Sequence, residues 1–204
     1  MTIRIIATAL VFVAGSCLTG CAEGNEPAQS SEAAAPETDS LPIPITSAER
    51  IDRDGVNNLF RADRFYFAGQ PDESALVALL EEDGVRTVIN IRTPEETSGM
   101  SMDERGVTEE RGARYETIPI SGSTFSRAQV DLFAEVVSSC EGPILVHCAS
   151  SNRVGGLWAA YLATHHDVPL DEAIELGRSA GLSRDSMADA ARRVASEASG
   201  SGGG

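Results

Sequence analysis

The segment Ile144-Leu145-Val146-His147-Cys148-Ala149-Ser150-Ser151-Asn152-Arg153-Val154-Gly155-Gly156-Leu157-Trp158 constrains the fold more than any other part of the chain. A short apolar run leads through His147 into a cysteine, four small, mostly polar residues, an arginine and then a helix-length apolar pattern. This reads as a buried strand, a tight loop and a helix, the unit from which α/β sheets are built. A second, mostly apolar run over residues 85–91 reads as another buried strand of the parallel kind. Further strands are expected at 65–68 and 114–118, and helices after Asp72, over 103–111, 126–140, 154–165, 170–180 and 183–198. The expected fold is therefore α/β, with a small, mostly parallel central sheet flanked by helices.

The ends of the chain read differently. Residues 1–20 have a thin basic start (Arg4), an apolar run too short for a resident bilayer helix, and the box Leu18-Thr19-Gly20-Cys21. This pattern resembles a bacterial lipobox, which implies a lipoprotein signal peptide at 1–20 and a lipid on Cys21. The expected location is extracytoplasmic, anchored to the envelope, and Ala22 after the cysteine implies the periplasmic face of an outer membrane. Residues 21–46 are Ala-, Glu-, Pro- and Ser-rich without periodicity and read as a disordered tether. The folded domain is expected over 47–198, and residues 199–204 read as a flexible tail.

Charge excludes one class of partner. The 204-residue chain carries 31 acidic against 16 basic residues, a formal net charge of −15, whereas nucleic-acid binding needs a basic footprint. An anion site must then be made locally, from backbone N–H groups and one or two arginines. The 144–158 segment supplies both. It sets Cys148 at the carboxyl end of a strand, where α/β proteins bind ligands. Loop amides of Ala149, Ser150, Ser151 and Asn152, with the following helix N-terminus, stabilise a thiolate and bind an oxyanion. Arg153 offers a planar two-point grip. His147 is expected to orient the loop by hydrogen bonding. Cys140 extends the apolar helical stripe of Val130, Phe133 and Val137 and reads as core. A Cys140–Cys148 bridge is not expected, since the intervening strand advances ~3.3 Å per residue and a bridge needs Cα atoms within ~7 Å. Neither a cofactor nor a metal site is expected; His165-His166 reads as a helix-end turn.

His147-Cys148 with Arg153-Val154-Gly155, Gly69-Gln70-Pro71, and Val88-Ile89-Asn90-Ile91-Arg92 with Glu95-Glu96 resemble the beta-lactamase-hydrolase-like phosphatase-like domain. That group is a branch of the protein tyrosine phosphatase superfamily. The resemblance implies a cysteine-phosphatase fold, Cys148 as nucleophile, Arg153 as oxyanion ligand, and a small anionic or phosphorylated substrate. Arg92 faces the same pocket on this reading, or else pairs with Glu95 or Glu96. The pattern departs from the superfamily in places. Four residues rather than five separate Cys148 and Arg153, Ser151 stands where Gly is usual, and Val154 replaces a hydroxyl. The loop expected to carry a general-acid Asp, residues 118–124, holds no carboxylate; Glu116 and Asp131 lie on either side of it. Two other functions therefore stand beside a phosphatase acting through a thiophosphate. One is a rhodanese-type sulfurtransferase with a persulfide on Cys148; the other is a non-catalytic envelope module that binds an anion or peptide.

Overall fold

The computed structural model describes residues 43–199. The expected signal segment, the Cys21 lipidation site, nearly all of the tether and all of the tail after Ser199 lie outside the described residues.

Six strands form one sheet in the order β1-β2-β3-β6-β4-β5. They are β1 (Glu49–Ile51), β2 (Leu59–Ala62), β3 (Phe65–Ala68), β4 (Thr87–Asn90), β5 (Arg114–Thr117) and β6 (Ile144–His147). The pairs β3/β6, β6/β4 and β4/β5 are parallel, and β1/β2 and β2/β3 are antiparallel. The helices are α1 (Glu73–Glu81), α2 (Pro94–Thr97), α3 (Glu104–Glu109), α4 (Arg127–Ser138), α5 (Asn152–His165), α6 (Leu170–Ser179) and α7 (Asp185–Ser199).

Period-two alternation divides the strands between two cores. Phe65, Phe67, Ile89, Ile144 and Val146 join buried side chains of α4, α5, α6 and α7 in one cluster. Tyr66, Ala68, Val88 and Leu145 join Leu76, Leu79 and Leu80 of α1 in the other. Trp158 of α5 anchors the larger core, its ring centroid 4.9 Å from that of Phe65 and 5.0 Å from that of Phe67. Cys140 is buried there and free, as is Cys148. The helix starts follow local chemistry: Asp72 caps α1 by accepting from Ala75 N at 2.8 Å, and Ser126 with Gln129 forms a capping box on α4.

The strands β1 and β2 and the short helix α2 were not expected. β1 is a three-residue, largely exposed edge, and β2 buries only its two ends. Neither carries an apolar run or a clean alternation to read. α2 has no buried residue and owes its turn to Pro94 after the capping Thr93.

The close approach of α5 to α6 depends on glycine. A Cβ on Gly155 would sit 2.4 Å from Gly177 O and from Leu182 N, and one on Gly177 would sit 2.5 Å from Gly155 O. Backbone thus packs on backbone, which brings the α6–α7 connection alongside the loop that precedes α5.

Candidate active site

The register levels the carboxyl ends of three strands: Ala68 of β3 and Asn90 of β4 both pair with His147 of β6. Cys148 N donates to Ala68 O at 3.2 Å, so Cys148 leaves the sheet at its centre with its backbone still tied. Its side chain is 1% exposed, at the base of the loop. Gly69 holds that loop from below. Gln70 N donates to Ala149 O, and a Cβ on Gly69 would fall 2.6 Å from Asn57 O and 3.1 Å from Ala149 O.

The loop closes through Ser151, whose φ is +66°. This is the left-handed region, which costs a non-glycine residue about 1 kcal/mol or more. The physical compensation is visible. Ser151 Oγ donates to Ala180 O at 2.8 Å in a fully buried setting. Gly181, at φ +104°, leaves the room Ser151 occupies, because a Cβ there would lie 2.6 Å from the Ser151 Cβ. Ser151 therefore serves the turn that glycine would serve, tied through its hydroxyl to the α6–α7 connection. Asn152 opens α5, and its Oδ1 accepts from Ser183 N and Arg184 N, both at 2.9 Å. Its side chain thus braces the same connection.

Arg153 is held by Glu96. NH1 donates to Glu96 Oε2 and NH2 to Glu96 Oε1, both at 2.7 Å, and NH1 also reaches Ile120 O at 2.7 Å. The hydrogen bonds from Arg153 hold the Glu96 carboxyl down at about 2 against the cost of burial, with Thr93 N and Arg92 adding to the effect. Glu96 is therefore ionised in neutral solution and cannot give up a proton. Glu96, and after it Cys148, in turn raise the Arg153 pKa.

A second network lies behind the cysteine. Fully buried His147 sets Nε2 3.0 Å from Glu104 Oε1, yet the ring is turned so that neither nitrogen meets hydrogen-bond geometry. Glu104 Oε2 accepts from Asn90 Nδ2 at 2.6 Å and Tyr115 OH at 2.8 Å, and Oε1 accepts from Gln70 Nε2 at 3.0 Å. Burial works to raise the Glu104 pKa, but His147, Tyr115 and Gln70 together bring it down to about 2. Arg92 joins the far end of this chain. Its guanidinium donates to Gln70 Oε1 and Glu96 O, both at 2.8 Å, and to Met100 Sδ at 3.1 Å.

A cavity of about 540 Å³ opens above the loop, lined by Thr93, Glu96, Ser121, Ala149, Ser150 and Arg153 among others. Ala149, Ser150, Asn152 and Arg153 of the expected set meet there. Cys148, His147 and Ser151 lie beneath it, and Arg92 stands outside it as a brace for Glu96 and Gln70. Glu116 is taken by Arg114 at 2.6 Å, and Asp131 by Arg127 at 2.6 Å and His165 at 3.2 Å. Among the described residues, Glu96 is the one carboxylate lining the cavity. Sequence reading did not single out Glu104, Tyr115 or Arg184, gave Gln70 only as part of the Gly69-Gln70-Pro71 motif, and did not pair Glu96 with Arg153. Their partners lie 11 to 57 residues away in sequence, so the fold rather than any local pattern brings them together.

Comparison with known proteins adds to this geometry. Residues 69–167 match the family described as "Polymorphic toxin system, DSP-PTPase phosphatase". A beta-lactamase hydrolase-like protein of Xylella fastidiosa is 28% identical over 122 residues, 59% of this chain. The matched segment spans only 28% of that relative's length. Among solved structures, Pseudomonas aeruginosa TpbA superposes with a TM-score of 0.58 at 22% identity, covering 74% of this chain and 89% of TpbA. Tk-PTP superposes at 0.56 with 20% identity, covering 70% and 97%.

Proposed function

We propose that this chain, whose residues 69–167 match a DSP-PTPase phosphatase family, hydrolyses phosphate compounds through a thiophosphate on Cys148. The observation that carries the reading is the pairing of an enclosed cysteine with a neighbouring arginine fixed two-fold by Glu96. The Cys148 thiolate attacks phosphorus, an S–P bond forms, and the ester P–O bond breaks with its electron pair on the leaving oxygen. Arg153 and the amides of residues 149–152 hold the three equatorial oxygens, where charge is spread in the transition state. Water then cleaves the S–P bond and releases phosphate and the thiolate. TpbA has been crystallised with phosphotyrosine, and phosphorylated compounds are the substrate class proposed for this chain.

Among the described residues no acid stands ready to protonate the leaving oxygen, since Glu96 is ionised and residues 118–124 hold no carboxylate. That step is worth roughly two to four orders of magnitude. Among esters, 4-nitrophenyl phosphate should turn over at least a hundredfold faster than glycerol phosphate, and Cys148→Ser should abolish both reactions. Transfer of sulfur from thiosulfate to cyanide through Cys148, with no ester cleaved, would replace this reading with the sulfurtransferase one.

The chain is further proposed to act from the envelope, anchored by a lipid on Cys21. In cells, Cys21→Ser should move it from the salt-washed membrane fraction to the soluble fraction. A variant that still sediments with washed membranes would remove the anchor.

A further inference from the structure

A phosphatase site without an acid works best on a substrate whose leaving group needs no proton. The cavity also holds a second cation. Arg184, between α6 and α7, lines the same wall-set as Arg153. Its side chain has no ion pair and no hydrogen bond among the described residues, unlike Arg153, which Glu96 grips at both nitrogens. Its backbone is not free to drift, because Arg184 N and Ser183 N both donate to Asn152 Oδ1 beside Arg153. In a chain of formal net charge −15, an exposed arginine without an acidic partner, its backbone tied beside the anion loop, is a local exception. Apart from Glu96, which is paired with Arg153, the polar lining consists of hydroxyls and amides from Thr93, Ser121, Ser150, Asn152 and Ser186, with no aromatic ring for a phenol to stack on.

We propose that the substrate is a phosphoanhydride, with its terminal phosphoryl group in the Cys148 loop and its leaving phosphate on Arg184. This rests on the phosphatase reading above and names its substrate class. The Cys148 thiolate attacks the terminal phosphorus, and the bridging P–O bond breaks. The electron pair stays on the bridging oxygen, which departs as part of a stable phosphate anion. Arg184 balances the charge that gathers there, so that the leaving group departs without a proton. Water completes the cycle by hydrolysing the thiophosphate.

The test uses the purified full-length chain without divalent cations, with inorganic pyrophosphate, 4-nitrophenyl phosphate and glycerol phosphate as probes. Pyrophosphate should be cleaved at least tenfold faster than glycerol phosphate, and Cys148→Ser should abolish cleavage. Arg184→Gln should lower kcat/KM on pyrophosphate by roughly ten- to hundredfold, the range of one charge-assisted contact. Its loss on 4-nitrophenyl phosphate should be at least tenfold smaller, and Arg184→Lys should recover most of the pyrophosphate rate. Cys148-dependent cleavage of 4-nitrophenyl phosphate without cleavage of pyrophosphate would overturn the inference and leave the phosphatase reading standing. Equal losses on both probes in Arg184→Gln would overturn it too. Failure to cleave any of the three would take down the phosphatase reading with it.

Discussion

Arg153→Lys should lower kcat/KM on 4-nitrophenyl phosphate by roughly two to three orders of magnitude, the cost of removing a preorganised donor from a developing oxyanion. The reason is geometric rather than a matter of charge. Arg153 reaches both oxygens of Glu96 and the carbonyl of Ile120 at 2.7 Å, and that bracing fixes the plane of the guanidinium. An ammonium group carries the same charge but cannot keep two parallel bonds to Glu96 while presenting two more to substrate. The fold should tolerate the change, because Arg153 is partly exposed. Steady-state kinetics with a circular-dichroism control checks this. A loss below tenfold would mean that Arg153 supplies charge alone.

Glu104→Ala should have the largest effect on stability, about 3–5 kcal/mol, because it strips a buried cluster of its shared acceptor. Asn90 Nδ2, Tyr115 OH and Gln70 Nε2 would each lose a partner, and buried His147 would lose the carboxylate 3.0 Å away. Near-neutral stability in denaturant unfolding would show that water or a rearranged His147 takes over. The pH dependence has a definite sign. The folded-state pKa of Glu104 is depressed from 4.5 to about 2, so the ionised carboxylate favours the folded state. That contribution is fully present above pH 4.5 and is lost as pH falls towards 2. Glu96, also depressed to about 2, adds to the same acid limb. Glu104→Gln should therefore flatten the decline of stability between those values, although it should also lower the plateau above them.

The same cluster shows where sequence reading reaches its limit. Cys148, the loop and Arg153 are contiguous, so their chemistry is visible in one short window, and the two buried strands on which they depend announce themselves as apolar runs. Ser151 could be marked as the place where a glycine is usual. Its left-handed φ and its bond to Ala180 O explain why serine can stand there. Glu104 looks in sequence like any first-turn acid after a capping Asp103, with nothing to mark it as buried. Glu96 has an equally ordinary twin in Glu95, which is exposed, and only the direction of α2 decides which one meets Arg153. Arg184 carries no local signal, for its place by the loop follows from the glycine contact between α5 and α6. β1 and β2 went unseen for a similar reason: short edge strands gain their pairing from a neighbour, not from their own pattern.

The proposed mechanism stands or falls on one covalent bond. Mixing the purified chain with 4-nitrophenyl phosphate, quenching in acid within the first turnovers and mapping peptides by mass spectrometry reads it directly. The expected result is a single phosphoryl adduct on the peptide containing Cys148, absent from Cys148→Ser and accompanied by a burst of nitrophenol. Turnover with no adduct on Cys148 at any quench time, or undiminished turnover by Cys148→Ser, would contradict nucleophilic catalysis at this site.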